Sequence, residues 1–209
     1  MAIKGGRGDE KKAQIRLEWE LVPILHTRLL NGQEIICCCG DKVTTTYYRF
    51  DAKNRSNGKQ DVLFAADGCA RKLLGIAPAI APLPLFDPLQ APPVRRNRGA
   101  GGGGANGPVM HPFNRELYEA IHLLLMCWGR PPSAGGPLAA ILADIRQAPG
   151  ISLPDSAAKS VNSVIKSGQR TLTAMLQALP PQTPSMRTFT FPLIRQALSR
   201  HREQPTSWV

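Results

Sequence analysis

Four of the five cysteines in this 209-residue chain stand where they could meet: Cys37, Cys38 and Cys39 are consecutive and run into Gly40, and Cys69 follows downstream. An odd count with three adjacent thiols does not read as a secreted disulfide framework, and in a reducing compartment clustered thiols point to a metal ion. Zinc takes four soft or borderline ligands in a tetrahedron. Thiolates on a tight turn, joined by one at a helix start, are a common way to supply them. Gly40 lets the backbone turn beneath the ion, and a helix N-terminus favours the thiolate form of Cys69. The pattern nominates Cys37, Cys39 and Cys69 as zinc ligands. Three residues compete for the fourth place: His26 first by residue type, then Cys38, then Asp67. The rival reading is a buried strand, because free cysteine packs as a small hydrophobe and Ile35-Ile36 lead into the run. Cys127, on the apolar part of a predicted helix, reads as core.

The elements that must position these thiols are short. Between Gln14 and Leu21, the apolar Ile15, Leu17, Trp19 and Leu21 alternate with polar residues, the period of a half-buried strand. Residues 42–50 are rich in Thr and Tyr, and Asp61 to Ala65 is a second apolar run. The Asn57-Gly58 pair between them suits the positive φ values of a turn, so a β-hairpin joins Cys39 to Cys69. Cys69 to Gly75 then predicts a short helix, stopped by Gly75 and Pro78, with Asp67 placed to cap its start. Residues 13–76 form a small β-rich module behind a flexible basic tail, 1–12. Cys37-x-Cys39-Gly40, Tyr48, Phe50, Asn54, the Asn57-Gly58 turn and Gly68-Cys69-Ala70-Arg71-Lys72-Leu73 together resemble a treble-clef-like zinc module. That module recurs in uncharacterised proteins of phages, plasmids and large DNA viruses. The resemblance covers about residues 30–76 and implies a structural zinc ion.

Residues 77–112 change character. Prolines recur up to Pro93, Arg95-Arg96-Asn97-Arg98 follows, and glycine dominates from Gly99 to Gly107, a composition that reads as a linker. From Phe113 the helical period returns, with Phe113, Leu117, Ile121, Leu124, Leu125 and Trp128 on one face and Gly129 at the end. Pro137 opens a second helix, residues 155–179 form a third and 191–202 a fourth. The expected fold is α+β: a β-rich zinc-binding module, a Pro/Gly-rich basic linker, and an all-α bundle over 113–209.

The chain carries a net charge of +11, spread along its whole length, which favours an anionic partner and most commonly nucleic acid, DNA or RNA. Lys53, Arg55 and Lys59 crowd the hairpin tip, Arg71 and Lys72 adjoin the zinc candidate, and Arg95, Arg96 and Arg98 precede the glycine tract. These eight residues are the candidate phosphate contacts. The alternative is a protein-binding adaptor whose basic surface meets an acidic partner, and the bundle is a candidate protein-binding surface under either reading. Catalysis is not expected. The glycine tract lacks the Gly-Lys-Ser/Thr of a phosphate-binding loop. Ser156-Ala-Ala-Lys159 and Ser160-Val-Asn162 are similar to pieces of serine acyl-enzymes, but they adjoin each other and no Lys-Thr-Gly element accompanies them. No apolar run is long enough to span a bilayer and the N-terminus has no apolar signal region, so a cytoplasmic location is expected.

Overall fold

The alternation from Gln14 to Leu21 is divided between two elements rather than forming one strand. Asp9–Glu18 is a helix, α1, and Trp19–Arg28 a strand, β1. Asp9 and Glu10 in the first turn suit the positive end of the helix dipole. Within α1, Ile15 is buried while Leu17 is 77% exposed, so the two do not share a face as a strand would require.

The computed structural model describes residues 3–75, 83, 85–90, 110–129, 135–182, 184–201 and 206–209. Among these are five strands and seven helices. The strands β2 (Ile35–Ile36), β3 (Lys42–Val43), β4 (Thr46–Asn54) and β5 (Gln60–Ala65) follow β1, and α2 spans Asp67–Leu74. The antiparallel sheet has the order β1-β4-β5, and β2 pairs with β3 in a second small ribbon. The predicted hairpin is β4 and β5, with Lys53 opposite Gln60 and Gly58 at φ 70° in the turn. Pairing of β1 with β4 slips between Pro23 and Leu25, where the proline has no N–H to give the ladder. Burial is unbroken from Tyr47 to Phe50 because both faces of β4 are covered, which hides the two-residue period.

The predicted basic tail is instead packed from residue 3 onward. Ile3 N–H donates to Val62 O at 2.9 Å, and Gly6 N–H donates to Cys38 O at 2.8 Å. Lys12 is buried with its ammonium on Gly8 O.

The helices are α3 (Pro112–Trp128), α4 (Pro137–Gln147), α5 (Asp155–Ser167), α6 (Leu172–Gln177) and α7 (Pro192–Ser199). The single helix expected over 155–179 is interrupted at Gly168-Gln169, where Gln169 takes φ 56°. Buried polar side chains organise the bundle. Glu116 on α3 accepts from the N–H groups of Leu193 and Ile194, capping α7. Asn114 clasps Pro149, Ile151 and Leu153, and Asn162 holds the C-terminal residues through Thr206 O and Trp208 N–H.

The sheet and the bundle share one continuous core. Part of the proline-rich segment lies within that join. Phe86 forms a parallel bridge to Thr27 of β1, and Asp87 pairs with Arg28 at 2.7 Å. The Phe86 ring meets Tyr118, His122 and Phe189. Arg95, Arg96 and Arg98 lie outside the described residues. No helix among the described residues is long and apolar enough to cross a membrane.

Candidate metal centre

Two elements bring the thiols together. The Cys37-Cys38-Cys39-Gly40 turn follows β2, is closed by Gly40 N–H on Cys37 O at 2.8 Å, and uses φ 93° at Gly40. Cys38 N–H donates to Phe64 O on β5, which fixes the turn beside the start of α2. Cys69 lies in the first turn of that helix. The Sγ atoms of Cys37, Cys38 and Cys69 all lie within 4.8 Å of one another. Cys37 Sγ is 3.9 Å from Cys38 Sγ, and Cys69 Sγ is 3.8 Å from Cys39 Sγ.

Those spacings can be tested against an ion. Four thiolates at zinc–sulfur bonds of about 2.3 Å in a tetrahedron stand about 3.8 Å apart. The three sulfurs of Cys37, Cys38 and Cys69 approach that spacing, Cys39 adjoins Cys69 outside the three-sulfur group, and the outer contacts suit an ion too. Ala66 N–H points to Cys37 Sγ at 3.4 Å, a donor to sulfur of the kind that supports a thiolate. Gly6 passes so close that a Cβ there would come within 3.2 Å of Cys38 Sγ. Cys37 and Cys38 are buried, whereas Cys39 and Cys69 are half-buried.

Electrostatics of the thiols follow from burial and from their contacts with one another. The hydrogen bond from Cys38 draws the Cys37 thiol down to about 4, and that same bond holds Cys38 protonated. Burial raises Cys39, and burial together with the Cys37 charge pushes Cys69 up to about 12. One thiolate and three thiols crowd a small volume, and a cation can displace the three protons.

His26, the first candidate by residue type for the fourth ligand, is placed elsewhere. Its ring stacks on Tyr48 with centroids 3.8 Å apart. Nδ1 lies 3.2 Å from Leu83 O and so carries the proton. Burial lowers the His26 pKa, leaving Nε2 unprotonated 3.3 Å from Asp67 without a hydrogen to donate. Asp67 is the first residue of α2 and not its cap, a place taken by Ala66, and it accepts from Thr46 Oγ1. Cys38, the second candidate, instead joins Cys37 and Cys69 within 4.8 Å, a group that Cys39, nominated from the sequence, does not enter.

The basic candidates separate. Lys53, Arg55 and Lys59 lie at the hairpin tip, at the far end of β5 from the thiols. Arg71 and Lys72 fall in the last turn of α2, away from its N-terminus, and Lys72 is paired with Asp9 at 2.7 Å. Among the described residues Lys53, Arg55, Lys59 and Arg71 have no acidic partner. Ser156 and Lys159 share an open concavity on α5 with Pro137 and three further serines.

A family model described as uncharacterised conserved protein UCP028583 matches residues 4–209. The chain belongs to that family. The match to UCP028583 runs through both the cysteine-bearing sheet and the bundle, in keeping with their common core. No curated protein and no solved structure matches the chain.

Proposed function

We propose that this UCP028583 protein is a zinc-stabilised, non-enzymatic nucleic-acid-binding accessory protein. The observation that carries the reading is the meeting of the Cys37, Cys38 and Cys69 sulfurs within 4.8 Å of one another, with Cys39 Sγ 3.8 Å from Cys69 Sγ as the nearest candidate to complete the set. Four thiolates close the coordination sphere, so no position remains for a catalytic water and the ion's role is structural. It would tie the turn after β2 to the start of α2, with the N-terminal segment laid over it through Gly6.

Support for nucleic acid comes from the net charge of +11 and from the cations that lack an acidic partner among the described residues, Arg55 and Arg71 among them. The test is binding of labelled DNA and RNA oligonucleotides across a salt series. The reading predicts an affinity that falls linearly on a log–log plot as counterions compete. Absence of binding at low salt, together with capture of an acidic protein, would replace it with the adaptor reading.

A further inference from the structure

Cys39 stands outside the group formed by Cys37, Cys38 and Cys69, yet its sulfur lies 3.8 Å from Cys69 Sγ. The two come from different elements. Cys39 ends the cysteine run beside Gly40, and Cys69 lies in the first turn of α2, 30 residues on. Both are half-buried, while Cys37 and Cys38 are each only 1% exposed. An oxidant arriving from solvent therefore meets this pair first.

A disulfide bond is about 2.0 Å long, so the two sulfurs must approach by about 1.8 Å to close it. Gly40 follows Cys39 and Gly68 precedes Cys69, and a Cβ at either glycine would meet nothing within 4 Å, which leaves room for that approach on both sides. The other close pair, Cys37 and Cys38 with sulfurs 3.9 Å apart, is poorly built for a bond. Neighbours in sequence have Cα atoms about 3.8 Å apart, below the span of about 4.4–6.8 Å that disulfides take. The surroundings of Cys39 supply a proton acceptor as well. Its thiol donates to Asp41 Oδ2 at 3.4 Å, and Asp41 is paired with Arg7, whose Nε also donates to Cys39 O at 3.3 Å.

The geometry points to a modification site in which a hydroperoxide oxidises Cys39 and Cys69 to a disulfide and thereby takes Cys69 from the metal-binding group. Release of an ion rests on the metal reading above, whereas the disulfide does not. In the metal-free chain the Cys39 proton passes to Asp41 as its sulfur attacks the peroxide. The O–O bond breaks, one oxygen stays on Cys39 as a sulfenic acid, and the other leaves as water with that proton. Cys69 sulfur then attacks the sulfenic sulfur, the S–O bond breaks, the S–S bond forms, and the second oxygen leaves as water with the Cys69 proton. Two electrons pass from the sulfurs to the peroxide. In the metal-loaded chain both sulfurs are thiolates, and the two oxygens leave as hydroxide. The disulfide then ties the turn after β2 to α2 in place of the ion.

The test treats the full chain, purified under reducing conditions and then freed of reductant, with hydrogen peroxide. Non-reducing peptide mapping by mass spectrometry should show a cross-link between Cys39 and Cys69, two hydrogens lighter than the separate peptides and lost again with dithiothreitol. A chromophoric chelator should report zinc release in step with the cross-link. In Cys39→Ser that peroxide-driven release should slow by about tenfold or more, and Cys69, left without a partner, should run on to sulfinic acid. Because this substitution also alters the metal set, the cross-link in the unmodified chain is the deciding readout. A bond from Cys69 to Cys37 or Cys38 instead, or sulfinic acid at Cys39 with no cross-link, would overturn the proposal. Formation of the bond between Cys39 and Cys69 with zinc retained would overturn the release. A chain that holds no zinc yet forms that bond would sustain the disulfide and sink the metal reading.

Discussion

Replacing Cys38 with serine, beside a replacement of His26, separates the first two of the three ligand sets that the residue types allow. A structural zinc site is worth about 10–16 kcal/mol in apparent binding free energy, so each of four thiolates carries about 2.5–4 kcal/mol if the share is even. A serine hydroxyl does not ionise at neutral pH, and Cys38→Ser should therefore weaken zinc about 100- to 1,000-fold. At a zinc concentration that saturates the unmodified protein, a 100-fold loss also removes about 2.7 kcal/mol of folding stability. His26→Ala removes the ring stacked on Tyr48 and its bond to Leu83 O, which costs stability through packing. It touches no thiol, so zinc affinity should stay within roughly threefold of the unmodified protein. Competition against a chromophoric chelator at fixed free zinc measures both. Unchanged affinity in Cys38→Ser with loss in His26→Ala would refute the assignment.

Three further outcomes follow from particular groups. With Cys37 as the thiolate and Cys38, Cys39 and Cys69 held protonated, zinc uptake near neutral pH should release about three protons, so affinity rises steeply with pH; proton release in weak buffer measures it. His122 is fully buried with its pKa lowered from 6.5 to about 4 by burial, and the unfolded chain therefore takes up the proton first as pH falls. That stability is intact above the unfolded value and lost between about 6.5 and 4, to a total of about 3 kcal/mol, and the loss should be absent in His122→Leu when urea midpoints are compared across that window. Glu116→Ala strands the N–H groups of Leu193 and Ile194 at the start of α7 and should cost about 1–3 kcal/mol, with hydrogen exchange accelerated first in that helix.

Local signals in the residues were legible where one physical rule acted alone. Gly58 marks the hairpin turn, Gly75 and Gly129 end α2 and α3, and Pro137 opens α4, because each position demands the backbone freedom or restriction that residue supplies. Legibility failed where two rules overlapped. The alternation of Ile15, Leu17, Trp19 and Leu21 spans a helix end and a strand start, and only burial of Ile15 with exposure of Leu17 tells them apart. Leu83 and Phe86 sit among prolines and read as linker, yet they are buried at the join because tertiary packing outweighs composition. The thiol cluster was visible as residue types and its fourth member was not. Histidine is the commoner partner by type, but His26 sits on β1 with its ring committed to Tyr48 and Leu83, while the turn brings Cys38 within 4.8 Å of Cys37 and Cys69. Gly6 and the Ala66 N–H, which complete the surroundings of the thiols, carry no signal in isolation.

The most direct test of the account is the metal content of the protein purified under reducing conditions without chelator, read by native mass spectrometry beside elemental analysis. The account predicts about one zinc ion per chain, lost together with the folded start of α2 when a strong chelator is added. A folded chain that carries no metal, and whose stability is the same with and without chelator, would contradict it.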